Sequence, residues 1–321
     1  MATVNAQAPA GPASSAAGSR RRRRRLRTLS RRDKLVIALM AGVPLALDIG
    51  FIWFPTITSV LLSFTHWMGI GGLGTAQWIG LHNYAYAATT DPAFWPAIEH
   101  NLIWLGAFVC VATPFGILLA VLLDGKIRGS RIYQSIFFLP VMLSLALIGT
   151  IWELMYSSNY GLINSVLGAN GANNAIDWLG NPKLDLWAVL IEACWRQAGY
   201  VMILYLAGLK AVDPALREAA VMDGATPSQT FWRVVFPVMR PVNVVIAVIT
   251  FIESLRAFDI VYITNRGTNG LELLSTLITN NILGETTLIG YGAALGVVLL
   301  VVSLVPIITF LVVRLRQERS T

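Results

Sequence analysis

The chain has 321 residues, 55% of them hydrophobic and 13% charged, with a mean hydropathy of +0.64. Soluble domains carry about 25% charged residues, so the length does not mean two soluble domains, as length alone would suggest. The net charge of +7 does not mark a nucleic-acid surface: Arg20, Arg21, Arg22, Arg23, Arg24, Arg25, Arg27, Arg31, Arg32 and Lys34 lie together, and without them and Asp33 the chain is near neutral.

Residues 1–34 read as a basic cytoplasmic tail. Its first 19 residues, rich in Ala, Gly, Pro and Ser, cannot bury a core and are expected to be disordered. A basic stretch before an apolar one also fits a signal peptide. The apolar segment 35–64, however, is longer than a signal core and lacks a small-residue cleavage site. It is expected to be a first membrane span, with the arginines inside against anionic lipid.

A span takes about 20 apolar residues. Six are predicted: 35–64, 101–123, 132–156, 184–207, 241–264 and 288–313. The fold class is therefore all-α, a polytopic membrane protein with six transmembrane helices over 35–313 and a short cytoplasmic tail at 314–321. Charge placement fits an inside N-terminus and C-terminus. Lys126, Arg128, Arg131, Lys210, Arg217, Arg233, Arg240, Arg314, Arg316 and Arg319 fall in inner segments, against Lys183 and Arg266 outside. Trp67, Trp78, Trp95, Trp104, Trp152, Trp178 and Trp187 gather in or beside the outer segments. They read as an interfacial belt, with sugar stacking as the other role open to any of them. The outer loops 161–185 and 265–287 are rich in Gly, Asn and Thr and are expected to be ordered only through contacts.

Little of the chain suggests catalysis. Cys110 and Cys194 lie in apolar runs and read as packing residues. His66, His82 and His100 are grouped as one polar loop without ligand spacing, so no metal is expected. Gly125-Lys126 lacks the other residues of a phosphate loop. Uphill transport would take its energy from a partner or an ion gradient. Ionisable residues inside spans are costly and tend to face a cavity or a partner. Asp48 is alone in the first span and reads as a packing or interfacial residue. Glu192 and Arg196 stand four apart in the fourth; Glu253, Arg256 and Asp259 stand three apart in the fifth, making one helix face polar. Two compatible readings remain: salt bridges Glu192–Arg196 and Glu253–Arg256, or the lining of a solute path.

The stretch from Asp213 to Pro237 is the longest part of the second half that is not continuously apolar. Asp213 is placed to cap a helix that Pro214 starts, and Gly224 to end it. Thr226 and Gln229 then form a capping box, with Pro227 first in a second helix that Pro237 would stop. The whole inward loop, 208–240, thus reads as a rigid handle for another protein to grip.

Glu218-Ala219-Ala220, Asp223-Gly224-Ala225, Phe231 and Phe236-Pro237, in that order between spans, resemble the EAA loop of ABC importer permease subunits. The flanks Tyr205-Leu206-Ala207-Gly208-Leu209 and Phe258-Asp259-Ile260-Val261-Tyr262 are similar to the sugar-importer branch, of the maltose, glycerol-phosphate and trehalose type. The resemblance implies no enzyme activity and no cofactor. It implies a carbohydrate delivered by an extracytoplasmic binding protein, a second permease subunit making a heterodimer, and two copies of a cytoplasmic ATPase, in a bacterial cell membrane. It also implies ATPase coupling through Glu218, Ala219, Ala220, Asp223, Gly224, Phe231 and Pro237. A path near the fifth span would involve Glu192, Arg196, Glu253, Arg256 and Asp259. The family pattern Thr-Gly-Gly-Pro is replaced by Thr264-Asn265-Arg266-Gly267-Thr268, so the outer loop there is expected to differ. A self-sufficient carrier or channel using Asp48, Glu192 and Asp259, and an importer for glycerol phosphate-type cargo, remain the alternatives.

Overall fold

The computed structural model describes residues 30–125, 127–169, 174–284 and 287–318. The expected disordered tail, most of the arginine run, Lys126 and Arg319 lie outside them. The chain divides into two compact units, Met1–Phe54 and Pro55–Thr321. In the first, α1 (Arg31–Asp48) runs into a wide π stretch, Ile49–Trp53, and Trp53 Nε1 donates to Asp48 Oδ2 at 3.2 Å. Asp48 thus has a local partner. Most side chains described in this unit are exposed and apolar, as a helix meeting lipid or a partner requires.

The helical stretch Lys34–Leu62, which ends in α2 (Phe54–Leu62), is long and apolar enough to cross a membrane. So are Phe94–Asp124 and Ile289–Ile308. Three bent pairs bring the candidate spans among the described residues to six. After α2, a two-stranded antiparallel ribbon pairs β1 (Thr65–His66) with β2 (Gln77–Trp78). Helix α3 (His82–Thr89) follows. The second span joins α4 (Phe94–Ala107), a π stretch at Phe108–Ala112 and α5 (Thr113–Asp124). It begins earlier than expected. His100 therefore sits on a helix rather than in a loop, its Nδ1 2.9 Å from the Glu272 carbonyl.

The third span is not the straight helix expected over 132–156. It is α6 (Ser130–Met142) and α7 (Leu145–Tyr156), bent by 99°. Ser144 makes the corner by accepting from Leu147 N at 3.2 Å, an N-cap within an apolar run. A short α8 (Leu162–Val166) leads to α9 (Asp185–Ala211), the central helix, buried along most of its length. Between helices in lipid there is no hydrophobic gain over the tails, so close packing through small residues holds them. Glycines supply it. A Cβ on Gly116 would stand 2.6 Å from the Ala198 carbonyl oxygen, and one on Gly199 would strike the Phe137 carbonyl. These fix α5 and α6 against α9.

After α9 come α10 (Pro214–Met222), α11 (Pro227–Thr230), a π stretch at Phe231–Val235 and α12 (Phe236–Val238). The fifth span, expected as continuous over 241–264, is instead broken. Its parts are α13 (Arg240–Leu255) and α14 (Asp259–Asn265). No glycine or proline marks the break. The Ala257 carbonyl, released from the helical ladder, accepts from the Ser275 hydroxyl. Ser275 belongs to α15 (Leu274–Leu283), a helix in the outer loop expected to be ordered only through contacts. Helix α16 (Ile289–Glu318) ends the described chain.

Candidate functional site

Two features stand out: the hairpin after α9 and the polar break in the fifth span. In the hairpin, Asp213 Oδ1 accepts from Ala215 N at 2.9 Å, with Pro214 in the first turn of α10. Asp223 closes that helix and Gly224 turns the chain at φ +80°. Thr226 and Gln229 form the reciprocal box, Gln229 N donating to Thr226 Oγ1 at 3.3 Å and Thr226 N to Gln229 Oε1 at 2.8 Å. Each cap satisfies backbone N–H groups that a helix end leaves free.

Pro237 departs from expectation. It lies in the first turn of α12 and the chain stays helical through it. In an α-helix a proline ring clashes with the carbonyl four residues back. The wide turn at Phe231–Val235 opens that spacing. Phe231, Trp232 and Phe236 pack on one another with ring centroids 5.0 to 6.1 Å apart. Glu218 and Ala219 face solvent, while Ala220 is buried against the body. Val221 and Met222 are 64% and 87% exposed. The end of α10 thus exposes two large apolar side chains beside the polar Asp223, Thr226, Ser228 and Gln229, a mixed surface that a docking partner can cover.

Arg217 was counted from the sequence only as an inward charge, yet it anchors the hairpin. Its Nη1 meets Asp124 Oδ2 at 2.6 Å and its Nη2 donates to the Leu209 carbonyl at 2.8 Å. The sequence separation of 93 between Arg217 and Asp124 hides the pair from any local pattern.

At the break, Arg196 Nη1 lies 4.0 Å from Glu253 Oε2, an ion pair longer than a hydrogen bond. The pairs expected within each helix, Glu192–Arg196 and Glu253–Arg256, are not among the ion pairs of the described residues. Tertiary packing brings Arg196 to Glu253 across two helices, and Glu192 is turned inward at 1% exposure, with Oε1 lacking a described partner. A pocket of about 40 Å³ is lined by Arg196, Glu253, Arg256 and Asp259, with Trp104 and Phe108 behind them. It has room for a few waters and not for a sugar ring. Glu192 does not line it. Trp104, read as an interfacial residue, is instead a core residue at 1% exposure. Non-helical backbone within a span is tolerated where other protein groups or a cavity meet it; residues 256–258 line the pocket, and the Ala257 carbonyl accepts from Ser275. Among the described residues no three of His, Cys, Asp or Glu are placed to hold a metal ion.

The described residues thus form a multi-pass helical bundle with a capped hairpin between candidate spans. Comparisons with known proteins give the family. The family described as "Binding-protein-dependent transport system inner membrane component" matches residues 112–319. The xylose/arabinose import permease protein XacH of Haloferax volcanii is 34% identical over 268 residues, covering 82% of this chain and 83% of its own. The trehalose/maltose transport system permease protein MalF of Thermococcus litoralis is 30% identical over 244 residues, covering 75% and 80%. A bacterial ABC transporter involved in importing the acidic polysaccharide alginate contains a chain that superposes with a TM-score of 0.74. Its identity is 25%, over 89% of this chain and 96% of that one. This chain belongs to the family of inner membrane components of binding-protein-dependent transport systems. It is an ABC importer permease, and membership of that family overturns the self-sufficient carrier or channel suggested by the intramembrane carboxylates.

Proposed function

We propose that the chain is a membrane-spanning permease subunit that moves a carbohydrate inward after an extracytoplasmic binding protein delivers it. A second permease subunit completes the path and two copies of a cytoplasmic ATPase drive it. Both termini and the hairpin lie on the cytoplasmic side, a reading supported by the asymmetry of lysine and arginine between segments. One observation carries the coupling role. The hairpin is held at both caps, pinned to the spans by Arg217, and exposes Val221 and Met222 beside its turn. A partner that grips it differently in two states can move the spans, because differential contact is the source of any such coupling. In this reading exposed Ala219 allows close approach of the ATPase, buried Ala220 lets α10 lie close against the body, and Glu218, exposed and in neither described ion pair, faces the ATPase.

The pocket at the break supports the path assignment for Arg196, Glu253, Arg256 and Asp259, and its small size fits a chain that supplies one side of a shared route. Glu192 stands behind that surface as a buried neighbour. The carbohydrate assignment is supported by relatives named for pentoses and for trehalose and maltose. The test is uptake of labelled xylose, arabinose, trehalose and maltose by cells with and without this chain. Loss of ATP-dependent uptake of one of them is expected on deletion. Accumulation of solute by vesicles holding this chain alone, without an ATPase, would sink the reading.

A further inference from the structure

The Arg217 guanidinium touches three elements at once. It projects from α10, reaches the carboxylate at the last residue of α5, and caps a carbonyl in the last turn of α9. An acid at a helix C-terminus is unfavourable beside the negative end of the helix dipole, and a cation there is favourable. Asp124 is such an acid, and it is 15% exposed in its side chain. The Leu209 carbonyl is one of the last four of its helix, left without an internal donor. Both groups thus call for one cation, and the planar fork of arginine serves both together, which lysine cannot. The covalent route from α9 to α10 is only the non-helical turn at Val212 and Asp213.

We propose that Arg217 is a positioning residue of the transport cycle, a strut that passes displacement of α10 directly to the inner ends of the second and fourth spans. This rests on the importer reading above. Without the strut, α10 tilts on the turn at Val212 and the spans do not follow. With it, α5, α9 and α10 move as one body, and α5 and α9 are themselves locked at Gly116.

The test uses the complete complex in vesicles, with both permeases, the ATPase and the binding protein. In Arg217→Ala the ATPase is expected to stay bound and to hydrolyse ATP, while solute moved per ATP falls about tenfold. Arg217→Lys recovers part of the loss, and Asp124→Asn, which keeps an acceptor, falls between. A second measurement replaces Cys110 and Cys194 by Ser and introduces Asp124→Cys with Arg217→Cys. Joining the two thiols with a bifunctional reagent of ion-pair length is expected to restore the ratio lost in the unlinked form. An unchanged ratio in Arg217→Ala overturns the proposal, and so does a link that blocks uptake. Loss of ATPase association in both Arg217→Ala and Asp124→Asn overturns it as well, since the pair would then hold the dock and carry no motion. A wild-type complex without ATP-driven uptake would refute the functional assignment instead, so the two failures are distinct.

Discussion

Gly224 and Arg266 share the left-handed region of backbone space, at φ +80° and +59°. Only glycine enters that region without a steric cost. Gly224 has open space where a Cβ would stand, so a side chain there strains the backbone and meets nothing. Gly224→Val is expected to cost about 1 to 3 kcal/mol locally, to leave the protein in the membrane, and to weaken ATPase association or the yield of solute per ATP. Arg266 is the opposite case. It ends α14 where the sugar-importer pattern has glycine, and Arg266→Gly is expected to stabilise the purified protein by about 1 kcal/mol. Thermal unfolding of the two variants side by side checks the opposite signs. Both caps of the hairpin were legible in the sequence because capping chemistry is local: Asp213, Thr226 and Gln229 act on backbone within three residues. Arg217 was not legible as a partner of Asp124, since no local rule joins residues so far apart.

Among the elements, apolar run length pointed to long helices where the described residues form them, because lipid demands length and apolarity of every crossing helix, although the second begins at Phe94 rather than Asn101. It could not show the corners. The bend at Ser144 lies in a run that reads as uniform, and the break at 256–258 contains neither glycine nor proline. That break depends on Ser275, a hydroxyl from another element that meets the freed carbonyl. The same limit misassigned the charges: helical spacing paired Glu192 with Arg196, whereas helix packing brings Arg196 to Glu253. Arg196→Ala is expected to leave ATPase binding intact and to change solute uptake by about tenfold, leaving Glu253 with an unpaired charge beside the pocket. A fall in protein abundance with unchanged uptake per molecule would make Arg196 structural.

At the scale of the molecule, the pocket at the break has room for a few waters and not for a sugar ring. The sequence holds no phosphate-binding loop, and read alone it left a partner and an ion gradient both open as the source of work for uphill transport. The interrupted fifth span has a further electrical meaning. Where α13 stops, its carbonyl end is partly negative and Arg256 follows it; where α14 starts, its amide end is partly positive and Asp259 begins it. Each charge is partly offset by the half-helix it adjoins. Exchanging the two residues, Arg256→Asp with Asp259→Arg, sets like against like at both helix ends, and is expected to impair uptake more than neutralising both as Arg256→Gln with Asp259→Asn.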